Sequence, residues 1–333
     1  MKLSAKRNSF VVWKVFQRRV ETLSNEFDLE THYYHYKWEE QSRLFKTLSY
    51  VFKFSRTIFD LFKYRPSYIF IQLPPTPVLY AAAIYCGLSR AKYISDCHNA
   101  MIYGASWNKW PLAKYLLKNS TVMLVHNDDV AERAKDLAMS PLVLRDPLPT
   151  IANTLLGEYV SKLGLHSGTY IMAPCAFAAD EPIEELFNAI RMMPDLMFVM
   201  TWFTERLTAA QRNNVPVNII FTGFIKSEYY NDLLIHAGAV LSLTDREGTQ
   251  PSVASEAISA GVPLIISDLK TTRSLYEDAP IYVENRASSI VDGIKKANQG
   301  RDYWRSKIRE YSGKYEALLN SELEKIRKCI ESA

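Results

Sequence analysis

The sequence lacks several features that would each have indicated a particular class of protein. Its 333 residues include four widely spaced cysteines without a CxxC pair, which argues against a disulfide framework or a cysteine metal site. No segment has the roughly 18 apolar residues that cross a bilayer, and Pro77–Leu88 comes nearest. A net charge of +4 is small for a nucleic-acid-binding protein, so no nucleic-acid partner is expected. No signal-peptide pattern follows Met1, so we expect a cytoplasmic protein with reduced thiols.

A glycine-rich phosphate loop is also missing near the start of the chain. The first predicted strand, Phe10–Trp13, is followed by Lys14–Arg19, where a dehydrogenase would carry its dinucleotide loop. This absence argues against a nicotinamide-binding first half. No acidic pair of the DxD type is evident either, and Asn127-Asp128-Asp129 is typical of a helix N-cap. We therefore expect neither a cofactor nor a bound metal.

Length and composition favour a globular protein of two domains. Hydrophobic residues make up 48% of the chain and charged residues 23%. A chain of this length suits two domains of about 150 residues each. The break at Arg145–Pro149 separates a first domain, residues 1–150, from a second, residues 151–300. Residues 301–333 form a charged helical tail.

Short apolar runs alternate with helical patterns along both halves, which is the signature of a parallel sheet covered by helices. The sequence therefore predicts an α/β protein with two doubly wound, Rossmann-like domains. Strands are predicted at Phe10–Trp13, Leu29–Tyr34, Tyr68–Gln72, Lys92–Asp96, Val122–His126 and Leu142–Leu144 in the first half, and at Tyr170–Ala173, Met197–Thr201, Asn218–Phe221, Ala239–Leu243, Leu264–Ile266 and Ile281–Val283 in the second.

The stretch from Asp245 to Asp268 carries the most chemistry. It predicts a polar loop after a buried strand and then a helix, Ser252–Ala260, whose N-terminus lies above the sheet. Free backbone N–H groups and the positive end of the helix dipole make such a turn an anion site, for which a diphosphate is a natural ligand. Glu256, about one turn into the helix, is placed to accept hydrogen bonds from hydroxyls beside that diphosphate.

This passage resembles the donor domain of GT-B glycosyltransferases, especially those of family 4. The run Glu256–Asp268 matches their pattern E-A-x-x-x-G-x-P-x-I-x-S-D. The resemblance implies a GT-B fold, with two doubly wound domains facing a central cleft, and a nucleotide-sugar site. It also implies that the tail, residues 301–333, crosses back to the first domain. It implies a catalytic role for Glu247, although eight residues separate the two glutamates where the family has seven. The donor-binding residues that follow from the loop and the resemblance are Phe224, Arg246, Gly248, Thr249, Gln250, Pro251, Ser252 and Glu256.

The family usually supplies an arginine and a lysine near the start of its second domain, to bind the diphosphate. The corresponding segment here, Pro174–Pro182, has no basic residue. Arg246 and the backbone at Thr249–Ser252, or else Lys270 or Arg273, are the alternatives that the sequence offers.

The first half resembles a narrower group, the β-1,4-mannosyltransferases of lipid-linked oligosaccharide synthesis and their bacterial relatives. Three ordered elements match: Gln72-Leu-Pro-Pro-Thr-Pro77, Asp96-Cys-His98-Asn99 and Arg145-Asp146-Pro147. The predicted acceptor-binding residues, Gln17, Arg18, Gln72 and Asn99, lie in loops after predicted strands, where ligands of such sheets bind.

Asp96 and His98 are the candidate catalytic bases of this half. A transferase that inverts the anomeric centre needs a base for the acceptor hydroxyl, whereas a retaining enzyme needs none of this kind. The alternative is structural: Asp96 and Asn99 would hold loop backbone, and His98 would be an ordinary structural histidine.

The long predicted helix near Gln41–Phe62 has two apolar stripes. The first contains Leu44, Phe45, Leu48, Val51, Phe52, Ile58, Phe59 and Phe62, and the second contains Tyr50, Phe54 and Leu61. We expect one stripe to pack on the sheet. The second either contacts an anionic membrane surface or is buried as well, with a basic rim in solvent.

The function that the sequence favours is transfer of a hexose from a nucleotide-diphosphate sugar, and the resemblance of the first half implies mannose. The acceptor would be a glycan or a lipid-linked saccharide of cell-surface polysaccharide or glycoconjugate synthesis. A nucleotide-sugar epimerase on the same plan, and a degenerate relative that binds a nucleotide or partner without turnover, are the alternatives.

Overall fold

The computed structural model describes residues 8–103, 106–201 and 203–332, except for the side chain of Arg18. It contains two six-stranded sheets in which all the paired strands are parallel. The first sheet consists of Asn8–Val12 (β1), Leu29–Tyr33 (β2), Tyr68–Leu73 (β3), Lys92–Cys97 (β4), Val122–Val125 (β5) and Pro141–Val143 (β6). The second consists of Tyr170–Met172 (β7), Met197–Thr201 (β8), Ile219–Gly223 (β9), Ala239–Ser242 (β10), Leu264–Ser267 (β11) and Ile281–Val283 (β12).

Helices connect successive strands and cover the sheets. In the first half they are Arg18–Phe27 (α1), Arg43–Tyr64 (α2), Thr76–Ser89 (α3), Asn99–Ile102 (α4), Ala113–Lys118 (α5) and Asp128–Asp136 (α6). The remaining helices are Glu158–Lys162 (α7), Ile183–Arg191 (α8), Ala209–Arg212 (α9), Ser227–Ile235 (α10), Ser252–Ala260 (α11), Lys270–Tyr276 (α12), Ala287–Gln299 (α13) and Arg301–Glu331 (α14). The short helix α12 was not predicted from the sequence.

The chain divides into two compact units. The first unit contains the chain up to Pro147 together with the residues from Leu318 onward, and the second unit contains Leu148–Ala317. Helix α14 therefore contributes to both. Its last turns bury Leu323 and Ile326 in the core of the first unit.

Each sheet is buried on both faces, because alternate residues of its strands enter different cores. In β1, Val11 belongs to one apolar cluster, whereas Phe10 and Val12 belong to the cluster on the other side. In β11, Ile265 and Ile266 divide in the same way. Helices on both faces of a parallel sheet define a doubly wound α/β fold, so the predicted fold class is confirmed.

Strand order fixes where each sheet has its crevice. The order is β2-β1-β3-β4-β5-β6 in the first sheet and β12-β11-β10-β7-β8-β9 in the second. The direction of winding reverses between β1 and β3, and between β7 and β10. Ligands of doubly wound sheets bind outside the carboxyl ends of the strands at such reversals.

One apolar stripe of helix α2 packs inward, as expected, and it is the smaller of the two. The stripe of Tyr50, Phe54 and Leu61 faces the core of the first unit, and most of the larger stripe is exposed. Among the described residues, no helix is long and apolar enough to cross a membrane.

Candidate functional site

The loop after β10 and the start of α11 lie at the reversal of the second sheet. Helix α11 begins at Ser252, directly after Pro251 in extended conformation, and no described side chain caps its first turn. The loop passes through Gly248 at φ +74°, a backbone conformation that favours glycine. When no side chain caps a helix N-terminus, its first backbone N–H groups are available to bind an anion. The half-buried Thr249 and Gln250 precede this turn.

Hydrogen bonds from neighbouring loops hold the start of this loop. Asp180, after β7, accepts from the hydroxyl of Thr244 at 3.0 Å and through its backbone carbonyl from the N–H of Asp245 at 2.7 Å. Asn285, after β12, donates to the Asp245 carboxylate at 2.7 Å. Loops that follow three strands are thereby tied together at one edge of the sheet, which fixes where α11 begins.

Glu256 lies on α11, one turn after its start, and is half-buried. Its Oε2 atom accepts a hydrogen bond of 2.5 Å from the hydroxyl of Tyr230 on α10. This bond orients the carboxylate, because a hydroxyl donor at that distance restricts the side chain to few rotamers. Tyr230 was not identified from the sequence, since a tyrosine on a helix has no motif that distinguishes it from a core residue.

Glu247 forms hydrogen bonds to the start of α12, which the sequence did not reveal. Its carboxylate accepts hydrogen bonds from the N–H of Lys270 at 2.9 Å, from the N–H of Thr271 at 3.1 Å, and from the Thr271 hydroxyl at 2.8 Å. The hydroxyl in turn accepts from the N–H of Gly248 at 2.9 Å. These bonds, with Thr271 foremost, lower the pKa of Glu247. Glu247 therefore binds the first amides of α12, the helix that the prediction missed, and its catalytic role stays a prediction.

Two aromatic rings stand at the carboxyl ends of β8 and β9. Phe224 is 67% exposed and stacks on Phe203, which is 50% exposed, with ring centroids 6.2 Å apart and planes 14° apart. The sequence predicted Phe224 as a donor-binding residue. It missed Phe203, although the rule that ligands bind after strand ends would have selected it.

The candidate cations for a diphosphate differ in their availability. Arg273 donates two hydrogen bonds of 2.7 Å to Asp268 and its guanidinium lies 3.9 Å from the Tyr282 ring centroid, so this alternative is already engaged. Arg246 and Lys270 are exposed. Arg206, in the turn after β8, lies 3.4 Å from the backbone carbonyl of Ala176. It is a basic residue near the segment where the sequence showed none.

A cavity of about 480 Å³ lies at the reversal point of the first sheet. It lies between the loop after β1 and the loop after β3, where strand order predicts a ligand site. Among the residues that line it are Trp13, Lys14, Lys46, Tyr50, Pro74 and Trp107. The sequence had not assigned these side chains to one site, because their approach depends on the position of α2.

A buried cluster of charge lies at the ends of β4 and β6. Asp96 is fully buried, and both of its carboxylate oxygens accept from Arg19 on α1, at distances between 2.9 and 3.3 Å. Arg19 also donates to Asp146 at 2.6 Å and to the carbonyl of Leu144 at 2.9 Å. Arg19 immediately follows the predicted Arg18, but only the fold shows that it is the residue that pairs with Asp96.

This pairing conflicts with the prediction that Asp96 is a catalytic base. Burial raises its pKa, but the Arg19 charge and hydrogen bonds outweigh burial and hold the pKa of Asp96 below the ordinary value. A carboxylate that is shielded from solvent and bound to a guanidinium is a weak proton acceptor. Asp96 thus forms a buried ion pair with Arg19, a contact that neither reading of the sequence included.

His98 remains partly exposed beside this cluster. Its Nε2 atom lies 2.8 Å from the amide nitrogen of the buried Gln72, so it accepts that hydrogen bond when its own proton is on Nδ1. Burial, followed by the charge of His126, lowers the pKa of His98 to about 3. His98 is therefore neutral over the physiological pH range. The predicted residues Gln72 and His98 are thus in direct contact.

Asp96, His98 and His126 place one potential metal-binding atom each within 4.8 Å of one another. The Arg19 guanidinium occupies the same carboxylate, and its positive charge would repel a divalent cation there. We assign no metal to this cluster.

The other predicted acceptor residues lie at the starts of two helices. Gln17 precedes α1, and its carbonyl accepts from the Tyr33 hydroxyl at 3.4 Å. Asn99 opens the short helix α4. The side chain of Arg18 lies outside the described part of the structure.

Comparison with known proteins identifies the fold of this chain but no sequence family. No protein-family model and no curated protein matches the sequence. HepE from Anabaena, in complex with UDP, aligns with a TM-score of 0.73 and 10% identity over 98% of this chain and 100% of its own. The chain has the GT-B fold.

Two other solved structures are similar to this GT-B chain. A glycosyltransferase from Rickettsia africae aligns with a TM-score of 0.68 and 10% identity over 97% of both chains. UDP-GlcNAc 2-epimerase from Neisseria meningitidis, bound to UDP-GlcNAc, aligns at 0.61 and 12% over 98% of this chain and 100% of its own. At such identities the similarity establishes the fold, and the role of each residue has to be argued from the site itself.

Proposed function

We propose that this chain is a glycosyltransferase that moves a hexose from a nucleotide-diphosphate sugar to a glycan or lipid-linked acceptor. The observation that carries the proposal is the edge of the second sheet. There, within a GT-B fold, a helix N-terminus without a side-chain cap is followed by a glutamate oriented by Tyr230. HepE has been solved in complex with UDP-glucose, which supports a nucleotide sugar as the ligand of this edge.

In this proposal the second unit binds the donor. The amides that open α11 and the cations Arg246, Lys270 and Arg206 stabilise the diphosphate, both when it is bound and as it leaves. Glu256 accepts hydrogen bonds from the ribose hydroxyls. The exposed faces of Phe224 and Phe203 stack against the base. No metal is needed in this scheme, because the helix dipole and the basic side chains supply the positive charge.

The first unit binds the acceptor in this proposal, with Gln72, His98 and Asn99 at the ends of β3 and β4. The acceptor hydroxyl oxygen bonds to the anomeric carbon, while the bond from that carbon to the diphosphate oxygen breaks. If the reaction inverts, His98 takes the hydroxyl proton only after substrate binding releases its Nε2 from the Gln72 amide and raises its lowered pKa, because Asp96 is held by Arg19. If it retains, no such base is required.

The sugar, the type of donor site and the cellular location are part of the same proposal. The matches at Gln72–Pro77 and Asp96–Asn99 favour mannose as the sugar, and the match from Glu256 favours a family 4 donor site. We place the reaction in the cytoplasm, in the synthesis of a cell-surface polysaccharide or glycoconjugate. Contact with an anionic membrane depends on α2.

The test measures nucleotide release from a panel of UDP and GDP hexoses, with and without a glycan acceptor. Transfer predicts release that depends on the acceptor, and NMR of the product gives its linkage and anomeric configuration. Glu256→Ala is expected to weaken nucleotide binding roughly tenfold, as expected for the loss of a charged hydrogen bond. Glu228→Ala is the matched control, because Glu228 is an exposed glutamate on α10 of the same unit.

Two results would contradict the proposal. Conversion of the nucleotide sugar without any acceptor would indicate an epimerase, as in the Neisseria neighbour. Binding without turnover in every combination would indicate a degenerate relative, an outcome favoured by the structural engagement of Asp96 and Glu247.

A further inference from the structure

Helix α2 presents polar side chains to the protein. Its buried residues include Ser49, Lys53, Thr57 and Asp60. Lys53 forms an ion pair with Glu39, and their closest atoms are 2.6 Å apart. The other partners are also specific, because the Trp13 indole donates to Thr57 at 3.0 Å, and the Tyr34 hydroxyl donates to Asp60 at 2.9 Å. The inward side of α2 is thus held by hydrogen bonds and an ion pair as well as by the apolar contacts of its smaller stripe.

The opposite side of α2 is apolar and faces solvent. We call it the outer face, and its side chains are between 42% and 76% exposed. With 3.6 residues per turn they fall within an arc of about 100°. The outer face consists of Leu44, Leu48, Val51, Phe52, Phe59 and Phe62. A helix on the surface of a soluble protein normally has the reverse arrangement, and contiguous exposed apolar surface of this kind marks a binding surface.

The apolar surface continues onto the neighbouring helix. Phe62 packs edge-on against Tyr85 of α3, with centroids 5.2 Å apart. Ile84 and Leu88 of α3 are 47% and 73% exposed. Helix α2 has 22 residues, so it extends this surface over roughly 33 Å. Isolated exposed apolar residues are common on protein surfaces, but a continuous apolar surface of this length is not.

The exposed charge of α2 has one sign. Arg43, Lys46, Arg56 and Lys63 are exposed. Asp60 is the single acidic residue of the α2 sequence, and it is buried, bonded to Tyr34 and Arg56. In a two-fold dimer through this face the patch would meet its own copy, and the two sets of cations would share one interface. An anionic surface complements them.

We propose that the outer face of α2 binds the surface of an anionic lipid bilayer, with the helix lying in the plane of the interface. The apolar side chains enter the boundary of headgroups and acyl chains, while Arg56 and Lys63, at the edge of the arc, contact anionic headgroups. Lys46 and Tyr50 of α2 also line the cavity of the first unit. A lipid-linked acceptor would reach that cavity from the bilayer, and in this respect the inference rests on the proposed function.

The experiment is sedimentation of the full chain with vesicles of phosphatidylcholine that contain phosphatidylglycerol, without nucleotide or acceptor. At low salt the protein is expected in the pellet. It should remain in the supernatant with pure phosphatidylcholine, and binding should weaken as salt screens the cations. Replacing the three most exposed members together, by Leu44→Gln, Val51→Gln and Phe59→Gln, should reduce partitioning at least about tenfold.

A matched control distinguishes vesicle binding by the outer face from binding by any exposed apolar side chain. Leu156→Gln, Met192→Gln and Val217→Gln replace three exposed apolar residues of the second unit. This triple variant should bind vesicles like the wild type. Both triple variants alter exposed side chains, so both should keep the wild-type circular dichroism spectrum and nucleotide affinity.

Three results would overturn the inference. The first is wild-type protein that stays in the supernatant with anionic vesicles. The second is unchanged binding of the α2 triple variant. The third is light scattering that shows a dimer which the α2 variant abolishes, with no vesicle binding, because a second copy then occupies the face. Glu256→Ala distinguishes this proposal from the proposed function, since it should lose nucleotide affinity and keep vesicle binding.

Discussion

Replacing Asp96 by asparagine should destabilise the first unit far more than it slows any chemistry. The change keeps the shape of the side chain but removes the charge that faces Arg19, and both side chains are almost completely buried. Removing one partner of a buried ion pair costs about 3–5 kcal/mol. Asp146 still accepts a hydrogen bond from Arg19 at 2.6 Å and compensates part of the guanidinium charge. We therefore expect the free energy of unfolding to fall by about 3 kcal/mol. For a unit of this size that corresponds to roughly 6–12 °C in Tm.

Hydrogen exchange measured by mass spectrometry in increasing urea is the suitable assay, because it reports the two units separately. Peptides that cover β3 and β4 should show the loss, whereas peptides from β10 and β11 should not. Asp136→Asn is the matched control: Asp136 pairs with Arg133 at 3.4 Å on the surface, where an ion pair contributes at most about 1 kcal/mol. A double-mutant cycle with Arg19→Gln should show coupling between the two sites.

The pH dependence of this contribution has a definite sign. The folded pKa of Asp96 lies below its ordinary value of 3.8. The stabilisation is therefore complete above the unfolded pKa and is lost as the pH falls through the folded one. The reasoning would be refuted if Asp96→Asn kept wild-type stability while turnover fell by the factor of about 10²–10⁴ that loss of a catalytic base produces.

Three further predictions concern both units. Glu247→Ala should destabilise the second unit by about 1 kcal/mol in urea unfolding, because the first amides of α12 lose their acceptor, and unchanged stability would refute that role. Phe224→Ala should weaken UDP affinity roughly tenfold by calorimetry, whereas Val217→Ala, at a 99% exposed position of the same unit, should not; equal affinities would remove Phe224 from the site. The first unit should lose stability as the pH falls from 6.5 towards about 3, because unfolded His98 binds a proton that folded His98 resists. His98→Asn should reduce that loss, and an identical pH profile would contradict the assignment.

Much of the fold was predictable from the sequence. The predicted strands Met197–Thr201 and Ile281–Val283 and the helix Ser252–Ala260 have the bounds found in the structure. Short apolar runs between turn signals define buried parallel strands, and the Gly261-Val-Pro263 signal ends the helix locally. Helix α12 was missed because Lys270–Tyr276 is short, polar and without apolar periodicity.

The sequence by itself determined the two series of alternating strands and helices, the turn that opens α11 and the position of Glu256, because each depends on neighbours within a few residues. Only the tertiary structure decided which carboxylates are engaged. Arg19 and Asp96 lie 77 positions apart in the chain, and Glu247 bonds to amides 23 and 24 positions away. It also decided which stripe of α2 faces inward. Periodicity shows that two apolar stripes exist, but polar partners from other segments, Trp13, Tyr34 and Glu39, bind one side of the helix and leave the larger stripe outside.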